Sequence, residues 1–137
     1  MYAVSLGGFD THADEKGTQQ AQLGQLDVAM SSFLREMASD PRGRNVVLLA
    51  YSEFGRRVAA NASQGTDHGT AGPVLVAGLP VKGGFYGEQP SLTDLDNGDL
   101  KVTTDFRAVY AEVLATVLGT DPARVLGADR PHLGILG

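Results

Sequence analysis

The chain contains no cysteine. That single absence removes disulfides, a thiol nucleophile and thiolate metal sites, so any bound metal is left to imidazole and carboxylate ligands. A basic surplus is missing as well. Eleven Lys and Arg stand against sixteen Asp and Glu, a formal charge of -5, and apart from Arg56 and Arg57 the cations are scattered. Such a chain has no electrostatic footprint for nucleic acid, which is excluded as a partner. No apolar stretch approaches the roughly 20 residues that cross a bilayer. The opening MYAVSLGG has neither the basic region nor the cleavage pattern of an export signal. A membrane partner is therefore not expected, and the compartment stays undetermined. The glycine-rich pieces KGGFYG and QGTDHGTAG do not match a phosphate-binding P-loop, and no serine sits in a G-x-S-x-G elbow.

With 42% hydrophobic and 20% charged residues over 137 positions, the composition is that of one ordinary globular domain spanning residues 1–137. Residues 2–6 (YAVSL) read as a short strand ended by Gly7-Gly8. The period then changes. Leu23, Leu26, Met30, Phe33, Leu34 and Met37 recur at three- and four-residue spacing, which predicts a helix over about 18–38, stopped by Asp40-Pro41 and Gly43. NVVLLAYS (45–52) and PVLVAG (73–78) are continuous apolar runs without alternation, the pattern of strands covered on both faces. Residues 55–72 read as a long polar loop, and Asp96-Asn97-Gly98 as a tight turn. A second helix follows on Phe106, Val109, Tyr110, Val113, Leu114, Val117 and Leu118, capped by Thr104 or Asp105 and ended by Gly119. A last helical turn begins at Pro122. The strand–helix–strand order predicts an α/β fold, a three-layer sandwich around a mostly parallel sheet. Because the first strand starts almost at Met1, the chain reads as part of something longer.

Carboxylates and imidazoles gather at the ends of these runs. Asp10 and His12 follow the first strand, Glu53 follows the second, and Asp67 and His68 precede the third. In a parallel sheet, loops at the carboxyl ends of strands converge on one crevice. Mixed nitrogen and oxygen ligands there suit Zn²⁺ or Mn²⁺, with Asp67 either ligating or orienting His68. Arg56 is a candidate for an anionic substrate group, since guanidinium pairs with phosphate-like oxyanions. Each residue also has a plainer reading: the DTH triplet as a turn or helix cap, Glu53 as a solvated strand end, Asp67-His68 as a turn with an exposed imidazole, and the arginines as a solvated loop start. Tyr51 and Phe54 read as packing residues and His132 as a surface residue. A Rossmann-like nucleotide binder has only the generic βαβ unit behind it.

The segments GGFDTH, LLAYSEFGRR and DHGTAGPVLVAG, in that order with a long helix between the first two, resemble the C-terminal half of the DUF1501 family, over nearly the whole chain. That family in turn resembles the alkaline phosphatase and sulfatase superfamily. The resemblance implies a partial alkaline-phosphatase-like fold and a binuclear site where divalent cations hold a phosphate or sulfate ester. By it, Asp10 and His12 match an Asp/His ligand pair, Glu53 a carboxylate at a strand end, and His68 the histidine closing the first metal's shell. Asp67 accompanies His68. Phe54 stands where a histidine ligand is frequent, which departs from a complete second site. The nucleophile and further carboxylates of the superfamily come from an N-terminal half that these residues do not include, so the chain is expected to be incomplete as an enzyme. Full-length relatives are expected to be exported. The rival expectation is a non-catalytic module that forms a homodimer or pairs with another chain, such as that N-terminal half, through an uncovered sheet edge and helix face.

Overall fold

The structure is a computed structural model and describes residues 1–137. Helix α1 runs Glu15–Ser39 and carries the apolar periodicity seen in the sequence. Its first turn has no side-chain cap. Asp14 instead takes a left-handed conformation (φ 45°), and the N–H groups of Asp14 and Glu15 donate to the carbonyls of Ser63 and Gln64 at 3.0 and 3.1 Å. Two orphan donors of the helix start are thereby satisfied by a distant turn. After α1, Asp40 accepts from the Arg42 N–H at 2.8 Å and starts a short 3₁₀ turn, Pro41–Asn45.

Strands β1 (Leu48–Ala50), β2 (Gly55–Ala60), β3 (Thr66–Gly69) and β4 (Leu75–Ala77) come next. β1 pairs with β4, Leu48 opposite Ala77 and Ala50 opposite Leu75, while β2 pairs with β3, Gly55 opposite Gly69 and Arg56 opposite His68. A bulge follows in β2 before Ala60 meets Thr66. β5 (Leu95–Asp96) and β6 (Asp99–Leu100) close a third small ladder around Asn97-Gly98, whose φ values of 50° and 89° are those of a two-residue hairpin turn.

All three sheets are two-stranded and antiparallel, which overturns the expected α/β three-layer sandwich with its mostly parallel, alkaline-phosphatase-like sheet. The cause lies between the second and third apolar runs. Parallel strands need a crossover of a dozen or more residues, usually helical. Here the segment read as a polar loop folds into the β2–β3 hairpin, which turns the chain back so that β4 returns antiparallel to β1. The continuous apolar runs fitted burial on two faces but carried no information about direction. The strand expected at residues 2–6 does not form either. Met1, Tyr2 and Val4 are fully exposed and make no backbone ladder.

The core sits at the other end of the chain. Helix α2, Phe106–Thr116, starts at Asp105, whose carboxylate accepts from the Arg107 N–H at 2.9 Å. Helix α3, Pro122–Leu126, is capped in the same way by Asp121. Val109 of α2 packs with Ile135 and Leu136 of the C-terminal tail, and Leu49 of β1 and Val76 of β4, with Val47 and Val74 just ahead of those strands, close over them. The tail is pinned by Lys82 N–H to the Ile135 carbonyl (2.9 Å) and Gly137 N–H to the Pro80 carbonyl (3.1 Å). Glu112 of α2, 2% exposed, accepts from the backbone N–H groups of Leu133, Gly134 and Leu136 at 2.9, 2.9 and 2.8 Å. The core is small. Only 10 of 137 residues are buried, and the chain exposes 9622 Å². A compact monomer of 14.3 kDa exposes roughly 6,800 Å² by the usual scaling of surface with mass.

Candidate metal centre

Three of the sequence candidates meet. The carboxylate oxygen Oδ1 of Asp10 lies 3.0 Å from His12 Nε2 and 2.8 Å from His68 Nε2, and the two imidazole rings are 4.9 Å apart. The ligand atoms of Asp10, His12 and His68 all lie within 4.8 Å of one another. All three side chains are about half exposed or more, at 68%, 47% and 44%. One oxygen and two nitrogens aimed at a common point on an open surface present converging lone pairs, which need protons or a cation between them. Bonds of about 2.0–2.1 Å in a tetrahedral zinc shell place ligand atoms about 3.3 Å apart, close to the 3.0 and 2.8 Å between Asp10 Oδ1 and the two imidazole nitrogens. The donor set fits Zn²⁺ or Mn²⁺.

Asp67 faces the other nitrogen of His12, Oδ1 to Nδ1 at 3.5 Å. It therefore stands behind His12 rather than behind His68, where a carboxylate fixes the ring and leaves Nε2 free to point at the centre. Asn61 ties this pair down, its amide donating to Asp67 Oδ1 at 3.2 Å and to the His12 carbonyl at 3.0 Å. Glu53 is exposed and is not among the converging groups. The imidazoles perturb Asp10: the hydrogen bond from His68, and after an opposing desolvation that from His12, hold its carboxyl below the usual range. Asp67 is lowered chiefly by the Asn61 amide.

Arg56 is placed differently from the substrate-binding role expected of it. Its guanidinium points inward and donates to the carbonyls of Thr11 (2.7 Å), Thr66 (2.5 Å) and Phe9. Glu15, whose side chain is 9% exposed, lies 3.8 Å from its Nε and also accepts from the Thr66 hydroxyl at 2.7 Å. Its donors are engaged inside the protein. Arg57 is likewise occupied, by the Asn97 carbonyl and by Asp99 at 3.4 Å. Phe54 stacks flat on His68, centroids 3.7 Å apart at 10°, and the Arg56 guanidinium lies 5.2 Å from the Phe54 centroid.

The hairpin meets the arm of residues 1–14 very closely. A Cβ added at Gly65 would stand 2.4 Å from the His12 carbonyl carbon and oxygen, so no larger residue fits there without moving His12. Sequence reasoning passed over Asn61, Glu15 and Gly65. The one signal available for Asn61 was its place in a turn-forming ANASQG stretch; nothing marked Glu15 or Gly65.

Antiparallel ladders, separate helices and an exposed carboxylate–imidazole cluster between the arm and a hairpin define an α+β protein with a candidate cation centre. The model of the family described as "Protein of unknown function (DUF1501)" matches residues 1–130, and the chain belongs to that family. No curated protein and no solved structure matches the chain.

Proposed function

We propose that this chain is the divalent-cation-binding part of an ester hydrolase acting on phosphate or sulfate esters, with zinc or manganese held by Asp10, His12 and His68. The observation that carries the reading is the approach of two imidazole nitrogens to one carboxylate oxygen from sequence positions up to 58 residues apart. When bound, the cation supplies Lewis-acid polarisation of an ester oxygen and acidifies coordinated water. The chain's own residues do the rest. Asp67 and Asn61 fix the ring of His12, Phe54 fixes that of His68, and the open surface admits an ester group. Arg56 is engaged internally, Arg57 is held at the surface by the Asn97 carbonyl and Asp99, and the Thr66 hydroxyl is taken by Glu15. The chain thus contributes a cation site and its orientation, without a hydroxyl nucleophile or charge clamp, and alone it is expected to bind metal with little turnover.

Calorimetric titration with Zn²⁺ and Mn²⁺ tests this. Binding at one site that is abolished in both His12→Ala and His68→Ala is the expected result; binding unchanged in both variants removes the reading. The exposed area favours a second reading, in which the chain is a module that pairs with a second polypeptide chain, its own copy included. An excess of about 2,800 Å² over a compact monomer (9622 less roughly 6,800) exceeds the share each partner buries in a standard interface. Light scattering behind size exclusion, with metal analysis of the same peak, separates the readings: a metal-free dimer supports the second and a metal-loaded species the first.

A further inference from the structure

We propose that Arg56 is the positioning residue of the triad, acting through the backbone of the segments that carry the ligands; this rests on the cation-centre reading above. Residues 1–14 form no helix or strand, so Asp10 and His12 have no ladder of their own to fix them. Beside the Asn61 amide on the His12 carbonyl, one guanidinium supplies most of the missing frame. Nη2 donates to the Phe9 carbonyl and Nη1 to the Thr11 carbonyl, the two carbonyls that flank Asp10 and the second of which immediately precedes His12. The same Nη1 reaches the Thr66 carbonyl at 2.5 Å, at the start of the strand that carries His68 two residues on. A planar fork is needed for this. It presents donors in fixed directions, whereas an ammonium is a point charge on a flexible stem.

Three other features point the same way. Arg56 and His68 are opposite each other in the β2–β3 ladder, so the hairpin that holds the third ligand also holds the fork. Its charge is balanced by Glu15 at 3.8 Å, with side-chain exposures of 19% and 9%, so the cation stays in the protein instead of seeking solvent or an anion. Phe54 lies between the fork and His68, stacking on the imidazole while the guanidinium sits 5.2 Å from its ring centre. Arg56 therefore borders all three ligands without touching the point where they converge.

The test uses the metal-free chain and the Zn²⁺-loaded chain in parallel. In Arg56→Gln, NMR of the metal-free protein is expected to lose the cross-peaks between the ring protons of His12 and His68, while the signals of Val109, Ile135 and Leu136 stay in place. Zn²⁺ affinity is expected to fall about 10- to 100-fold, the usual effect of removing a group that orients ligands. Arg56→Lys keeps the charge and is expected not to restore either readout. Ring cross-peaks and affinity that persist in Arg56→Gln overturn the proposal, and so does full restoration by lysine, which would reduce the residue to a charge. Should Arg56→Gln disturb the whole chain, the lysine variant decides by the same two readouts. If wild type takes up no Zn²⁺ yet the cross-peaks vanish in Arg56→Gln, the cation reading fails and the positioning role stands.

Discussion

Glu112→Gln is the sharpest test of what holds this small core together. The carboxylate is buried in α2 and serves three backbone donors of the tail, Leu133 and Gly134 through Oε2 and Leu136 through Oε1. Hydrogen bonds to a charged acceptor contribute about 1.5–3 kcal/mol each, and a buried donor left without a partner costs about 1–3 kcal/mol. A glutamine amide has one oxygen. Its better orientation keeps the pair at Leu133 and Gly134 and turns an NH₂ group against the Leu136 N–H, the most deeply buried of the three. The loss is about 2–3 kcal/mol. Glu112→Ala deprives all three donors and is expected to cost about 3–5 kcal/mol, since each buried donor left without a partner costs about 1–3 kcal/mol. A domain is stable by only about 5–15 kcal/mol, so the alanine variant should be close to unfolding. Urea titration followed by circular dichroism reads the change, and amide exchange at Leu136 localises it. A glutamine variant within 1 kcal/mol of wild type, with Leu136 protection unchanged, would refute the latch.

Gly65→Ala should push the His12 backbone away from the hairpin, since the added carbon would stand 2.4 Å from it; a loss of stability of about 1–3 kcal/mol is expected from the overpacking, together with weaker Zn²⁺ binding in a calorimeter. Asp105, held down to about 2 by the Arg107 side chain and then its N–H, is a depressed acid. Its contribution to α2 is therefore complete above the ordinary Asp range and is lost as the pH falls toward 2, which a carboxyl NMR titration of wild type against Asp105→Asn will show. Saturating zinc at a hundred times its dissociation constant should raise stability by about 2.7 kcal/mol, reversed by chelator, and a melting curve indifferent to chelator counts against the centre.

The helices were legible because their signals are local. The 3.6-residue period of Leu23, Leu26, Met30, Leu34 and Met37 needs no knowledge of the rest of the chain, nor does an aspartate at position 105 ahead of an apolar stripe. The Asn97-Gly98 turn was legible for the same reason. Strand direction was not, since an apolar run is the same in either sense and only the intervening hairpin decides it. In the site, ligand chemistry pointed to Asp10, His12 and His68, which do come together, and also to Glu53, which does not join them. Arginine chemistry pointed to an anion, whereas Arg56 satisfies backbone carbonyls, a partner present in every sequence and therefore invisible in any of them. Asp67 is placed behind His12, not His68, because the hairpin, rather than chain proximity, determines which ring it faces.

The arm that carries Asp10 and His12 joins the body through a handful of side-chain bonds and a single pair of helix-start contacts, while His68 sits in a local ladder. The hairpin closes over a short span, whereas the arm meets it across 58 residues of sequence, so the arm's docking carries the larger loop-closure entropy. Detachment of the arm needs no loss of the α2 core. On the cation-centre reading proposed above, a bound cation would add to the few bonds that hold the arm on the hairpin and would slow its detachment.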